Sequence, residues 1–594
     1  MFNRLQRWLT APTRSQRWRY LWFGLSCCAP LIYGAMALQQ GWGNALVQDD
    51  ARQYIFWMQR FSDPSLFPGD PIADYFQSVS PIGYVGLYRL GAAAGLEPFL
   101  FNKLLPLPLA LITTAYLFWL TLEILPVPFT GFVATLLLNQ TLWMKDDVIS
   151  ATPRAFVYPL FAAFLYAWVR YRTHPEQPLA IATLGCALPL LLLGLFYPQY
   201  VLVASGVLAL HLVGWRRMRG AKQGAQGKGQ QWPIQLQMTR RDGVVCGVGL
   251  GLAVVVMAYY ALTASDYGPT ITAAQARQLP EFWPGGRNFF FSNNLWWFYF
   301  LGDRSGLLHV GLVRPATLCL GLLLPLLLWR RVPLAQAMAQ LGTLWRIWLA
   351  GFIWFVAAHL LLFRLHLPSR YMDHTWRFVM AIAAALVITA MLDALLRWGK
   401  RAGQPAAAGL GIALIAALLL AYPAFVENFP LTKYKSGLSP RIERFFRAQP
   451  VGSRVASIAE AASNLPAFAA RPVVVGREYA IPYHLGYYRP FRERAIALTK
   501  AQYSPDLAEL QATIRRYDID FWLLEGNTFD ADYVSDSWVA QYQADFQAAL
   551  APFYSGAEPA LANAAPACRA VKAQSLQVID ADCLLGLYDR LLRK

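Results

Sequence analysis

Charge is what this chain has least of. Only 14% of its 594 residues are Asp, Glu, Lys or Arg, against about a quarter in an ordinary soluble domain. With 56% hydrophobic residues, that shortage excludes a conventional water-soluble protein. Acids are scarcest, 34 Asp and Glu against 52 Lys and Arg, for a net charge of +18. The seven cysteines include no pair with metal-ligand spacing, which excludes a zinc finger or ribbon. There is no Walker loop, no GxGxxG opening a helix and no GxSxG. Nothing therefore marks an ATP-driven pump, a dinucleotide enzyme or a serine hydrolase. No internal repeat is visible.

What the chain does have is long apolar runs, such as "LCLGLLLPLLLW" and "AALVITAMLDALL". Segments of spanning length fall at about 20–40, 103–123, 128–144, 155–170, 179–196, 198–214, 243–263, 307–329, 345–364, 376–396 and 407–425. The expected fold is mainly α, a polytopic helical bundle of about eleven spans over residues 1–425. Its Lys/Arg excess sits beside apolar runs, in "RRMRGAK", "WRR" and "RWGKR". That is the pattern of positive-inside loops, not of a nucleic-acid surface, and no nucleic-acid partner is expected. The N-terminus resembles a signal peptide, but its apolar part is long and no small-residue cleavage site follows. It is read as a retained first span.

The stretch 81–96 is weakly apolar and as a helix reaches only about 24 Å, against about 30 Å of hydrocarbon. If it does not cross, loops on the N-terminal side carry about 20 Lys/Arg and the opposite short loops about 13. If it crosses, that bias disappears. The positive-inside rule favours a surface helix and a cytoplasmic N-terminus. Residues 426–594 then lie on the periplasmic side. Their composition is that of a soluble domain, with strands at "SRVASI", "RPVVVG" and "DFWLLE" and a Ser-capped helix in "SPDLAELQATIRRYDI". A small α/β domain is expected there. Cys568 and Cys583 fall within it, where a disulfide is one of two open readings. The loop 220–231 is expected to be flexible and cytoplasmic.

Four constellations share the predicted outer face. Asp49 and Asp50 follow the first span. Asp146 and Asp147 in "WMKDDVISATPRAF" follow a later one, beside Lys145 and Arg154. Either pair suits a solvated loop, and equally suits binding a divalent cation such as Mg or Mn or taking a proton from an attacking hydroxyl. The stretch "FRLHLPSRYMDHTWRF" gathers Arg364, His366, Arg370, His374 and Arg377 into one expected basic loop, suited to a phosphate. The aromatic run "PEFWPGGRNFFFSNNLWWFYFLG" suits an interfacial belt or a lipid or sugar groove.

This layout, acids after the first span, acids after a later span and a basic loop before the last spans, resembles the GT-C superfamily of integral-membrane glycosyltransferases. The resemblance implies a cell-envelope enzyme moving a sugar from a polyprenyl-phosphate donor to a glycan, lipid or protein acceptor, with inversion and without a nucleotide. By that likeness Asp49 is the base, Asp50 assists, and Asp146 and Asp147 are the second-loop acids. Arg370, with His374 and Arg377, holds the lipid phosphate. The likeness leaves the metal unassigned. The chain lacks the Trp–Trp–Asp signature of oligosaccharyltransferases, which argues against peptide glycosylation. A lipid or sugar transporter or flippase is the alternative, and it should show charged residues deep inside spans or repeated halves. Asp393 is the main acid inside a predicted span.

Overall fold

The computed structural model describes residues 2–13, 15–43, 45–215, 234–236, 239–263, 265–308, 314–329 and 333–587. The loop 220–231 and part of the 307–329 segment lie outside them. The apolar runs form helices. Among the described residues, seven are long and apolar enough to cross a membrane: Gln16–Gly41, Pro98–Ile124, Leu179–Phe196, Arg240–Leu262, Gly342–Leu360, Ser369–Arg401 and Pro405–Phe425. Gln199–Leu212 and Ala316–Trp329 are shorter and apolar. Pro128–Trp143 and Val157–Thr173 cover the other expected segments. The chain is a multi-pass, mainly helical membrane protein.

The chain forms two compact units, one of Met1–Gln39, Leu104–Thr263 and Tyr299–Thr432, the other of Gln40–Lys103, Ala264–Phe298 and Lys433–Lys594. The change at 432/433 falls close to the 425/426 boundary expected from composition. The C-terminal region also gathers 40–103 and 264–298 into its unit, a grouping that no local pattern announces.

In the first unit, Ser369–Arg401 is the most buried candidate span, 72% of its apolar window being inside the protein. It packs on Pro128–Trp143, Gly342–Leu360 and Pro405–Ala421. Gly351 permits one of these contacts: a Cβ there would stand 2.7 Å from Thr375 Oγ1 and 3.0 Å from the Tyr371 carbonyl oxygen. Only a glycine lets the two helices approach that far. Asp393, buried in the same helix, accepts hydrogen bonds from Thr10 at 3.0 Å and from Arg397, one turn on, at 2.7 Å. It is a neutralised structural acid.

In the second unit, Leu46–Gln48 pairs antiparallel with Tyr434–Ser436. A four-stranded sheet runs Val455–Ala456, Phe521–Glu525, Leu576–Asp580, Arg569–Ala573, its first pair parallel and the rest antiparallel. "DFWLLE" is a strand as expected, and "SRVASI" shrinks to two residues. "RPVVVG" contributes only an isolated bridge, Val473 to Val455. The helix expected after Ser504 is Leu507–Tyr517, and its cap is Asp506, which accepts from the Ala508 N–H at 2.8 Å. The cap moves because Pro505 separates Ser504 from the first turn and Asp506 sits where its oxygen reaches that N–H. Cys568 and Cys583 are disulfide-bonded. The stretch 81–96 forms Ile82–Ala93, about 18 Å long and too short to cross. It buries Tyr84, Tyr88 and Gly91 and exposes Ile82 and Leu90.

Candidate functional site

One of the two acidic pairs lies in a buried charge cluster of the first unit. Asp146 and Asp147 follow Pro128–Trp143, and the chain turns through Ala151, at φ 44°, before a 3-10 turn leads into Val157–Thr173. Asp147 is fully buried. Facing it is the start of Ser369–Arg401. The basic stretch expected as a loop is therefore helical from Ser369 onward, so His374 and Arg377 sit on its first turns, inside the protein. The short i,i+4 pair Asp373–Arg377 neutralises a turn that looks polar in sequence.

Arg377 is the hub. Its Nη1 donates to Asp147 and to the Tyr158 hydroxyl, and its Nη2 donates to Asp373 Oδ1 at 3.0 Å. The Tyr158 hydroxyl donates to Asp147 Oδ2 at 3.0 Å. Its one proton is thereby committed, so the 2.9 Å contact with His374 Nδ1 is a bond the imidazole donates. His374 Nε2 is buried and without a partner. Lys145 donates to Asp373 Oδ2 at 3.1 Å, and Arg154 reaches Asp146 at 3.4 Å and Asp147 at 3.5 Å. Arg370 stands 4.0 Å from Asp373 and is part-exposed.

Burial works against the charge of Asp147, but Arg377, Lys145 and Arg154 more than offset it and hold the carboxyl well below the usual range. Burial lowers Lys145 as well, against the pull of Asp147 and Asp373. Three carboxylates here face four cationic side chains, which leaves one positive charge over. Donor atoms of Asp147, Asp373 and His374 lie within 4.8 Å of one another, a spacing that a divalent cation can bridge. Arg377 already occupies both carboxylates, so a cation there must displace a buried guanidinium. The arrangement fits an anion at its positive edge better than a metal at its centre.

Asp49 and Asp50 belong to the second unit. Asp49 pairs with Arg52, a buried guanidinium that also donates to Asn464 at 2.7 Å and lies 3.5 Å from Glu478. Glu478 in turn takes Arg287 at 2.8 Å. The Asp49 side chain keeps 29% of its surface exposed. Asp50 occupies the N-cap position of Ala51–Tyr54 but makes no capping hydrogen bond, and its charge acts on the buried Tyr84.

Sequence reasoning missed Tyr158 and Asp373. Asp373 was legible as the acid four residues before Arg377. Tyr158 carries no such signal, since eleven residues and a turn separate it from Asp147. Asp146, Asp147, His374, Arg377 and Arg370 come together; Asp49 and Asp50 form their own cluster.

Neither a protein-family model nor a curated protein matches the chain in sequence. In fold it is similar to the archaeal oligosaccharyltransferase AglB from Archaeoglobus fulgidus, solved with an inhibitory peptide and a dolichol-phosphate. The TM-score is 0.50 at 13% identity, over 88% of this chain and 71% of that one. A second structure of the Archaeoglobus fulgidus enzyme, tethered to an acceptor peptide, aligns at TM-score 0.48 and 14% identity, over 87% and 70%.

Proposed function

We propose that the protein is a GT-C-type membrane glycosyltransferase that moves a sugar from a polyprenyl-phosphate donor to an acceptor on the outer face of a bacterial inner membrane. The observation that carries this reading is the fold likeness to AglB across 88% of the chain. The Cys568–Cys583 disulfide supports a C-terminal region in an oxidising compartment, and eleven spans would then put the N-terminus in the cytoplasm. Asp393, the acid singled out for the transporter alternative, is engaged with Thr10 and Arg397 and so lends that alternative no support.

In the proposed reaction the acceptor hydroxyl gives its proton to Asp49 as its oxygen attacks the anomeric carbon. Asp50 is assigned a supporting part. The bond from that carbon to the phosphate oxygen breaks, and the lipid phosphate leaves with the electron pair. Part-exposed Arg370, 4.0 Å from Asp373, takes the leaving charge; His374 and Arg377, assigned to the phosphate with it, and the second-loop acids Asp146 and Asp147 belong to the same buried cluster. No nucleotide enters.

The test is to incubate the full-length protein with labelled polyprenyl-phosphate sugars and compare the parent with Asp49→Asn and Arg370→Gln. The parent should release polyprenyl phosphate, and each variant should do so at least about 100-fold more slowly. Equal release by Asp49→Asn would sink the role given to Asp49. Sugar-lipid crossing the bilayer without cleavage would favour the transporter.

A further inference from the structure

The end of the first unit opposite the Asp147 cluster carries its own arrangement of charge. Val157–Thr173 starts beside Tyr158 and ends at Arg172, about 21 Å away. Arg172 lies over the Trp168 ring at 5.2 Å, and its Nη1 is buried with no hydrogen-bond partner. The Trp168 ring stands edge-on to His211 at 6.0 Å. His211 Nε2 lies 2.9 Å from Asp242 Oδ1, which also accepts from the Tyr171 hydroxyl at 2.8 Å; Asp242 Oδ2 accepts from Thr239. Asp242 is thus spent on fixing the wall. His211 Nδ1, on the far side of the ring, is buried and unpartnered.

A second arginine comes from another helix. A Cβ on Gly206 would lie 3.1 Å from the Ala350 Cβ, so Gln199–Leu212 and Gly342–Leu360 nearly touch. About one turn further along each helix lie His211 and Arg346. Arg346 is the strongest charge acting on Arg172, and both arginines act on His211. Two like charges are therefore held together, and Asp242, the carboxylate that acts on both Arg172 and His211, is engaged with His211, Tyr171 and Thr239. That arrangement costs free energy unless an anion joins it.

We infer that Arg172 and Arg346, backed by His211, form a second phosphate-binding site at the end of the helical unit remote from Asp147. Its ligand chemistry is a phosphate monoester or diester. Two guanidinium forks suit phosphate oxygens, and the stacked Trp168 fixes one fork in advance. The site is independent of the proposed transferase chemistry, because none of its residues belongs to the Asp147 cluster.

The experiment uses the purified full-length protein and two probes, phosphatidylglycerol and inorganic phosphate, with binding read by native mass spectrometry and titration calorimetry. Arg172→Gln/Arg346→Gln should weaken binding at least about tenfold, the loss of one charge-assisted contact or more. Arg170→Gln is the control, an arginine two residues away that donates to Tyr166 at 3.0 Å and pairs with Glu123. Arg172→Lys keeps the charge and should recover only part of the affinity, which separates recognition from fold. Loss confined to phosphatidylglycerol identifies a lipid headgroup, and loss for both probes identifies a site open to free phosphate. Unchanged affinity in the double variant, or equal weakening by Arg170→Gln, overturns the inference.

Discussion

Arg377 is almost wholly buried, and what keeps it tolerable is that its fork meets two carboxylates and a hydroxyl at once. Replacing it with Met removes the cation but leaves Asp147 and Asp373 charged in the same place. Breaking a buried pair from one side costs about 3–5 kcal/mol, so the thermal unfolding midpoint of Arg377→Met should fall sharply. Arg377→Lys should not restore it, because an ammonium cannot reproduce the two-pronged geometry. A midpoint unchanged in Arg377→Met would show that the cluster is not structural. Asp70 gives a second residue-scale prediction, this time in pH. It caps Pro71–Ser78, accepting from the Ile72 and Ala73 N–H groups, and burial pushes its carboxyl up to about 6 despite those bonds. A folded value above the unfolded one means the folded state holds the proton more tightly. The contribution is therefore complete below the unfolded value of about 3.9 and is lost as pH rises through 6. It amounts to about 3 kcal/mol in all. Asp70→Asn keeps the cap without the titration, so the difference in unfolding midpoint between variant and parent should change between pH 4 and 7. A constant difference across that window would refute the raised value.

Helices in this chain were readable where composition alone determines them and obscure where charges pair across turns. The long apolar runs declare themselves because lipid demands about 20 such residues in a row. That Ile82–Ala93 is too short to cross a membrane followed from the length of its weakly apolar stretch. The start of Ser369–Arg401 was hidden, since "SRYMDHTWRF" looks like a polar loop until Asp373 is seen to neutralise Arg377 within the helix. The partners of Asp147 were hidden for another reason: Tyr158 and Arg377 meet it only once three helices pack, and no spacing in the sequence encodes that. The packing itself rests on small residues. Gly351→Ala pushes a Cβ against Thr375, beside His374, and against the Tyr371 backbone; overpacking of this kind costs about 1–3 kcal/mol. Gly409 sits in Pro405–Ala421 with nothing within 4 Å of a Cβ, so Gly409→Ala should gain about 0.5–1 kcal/mol from helix propensity. Opposite signs in the two unfolding midpoints would check the argument, and a stabilised Gly351→Ala would refute it.

For the molecule as a whole, the question is which side of the membrane each part faces, because an outer-face transferase needs its C-terminal region outside the cytoplasm. Lys/Arg balance argued for that from one direction. The disulfide between Cys568 and Cys583 argues for it from another, since such bonds persist in oxidising compartments and are rare in the cytosol. The remaining cysteines, Cys27, Cys28, Cys186, Cys246 and Cys319, are free thiols. In a variant lacking those five, a maleimide-linked polymer added to cells under denaturing conditions should label nothing without reductant and two positions with it. Closing a loop with a sequence separation of 15 stabilises by about 3 kcal/mol. Cys568→Ser/Cys583→Ser should accordingly lower the unfolding midpoint, and added reductant should lower the parent to match it. If both thiols are labelled without reductant, the C-terminal region faces a reducing compartment. The topology then inverts, Asp49 moves to the inner side with it, and the reaction proposed for the outer face loses its compartment.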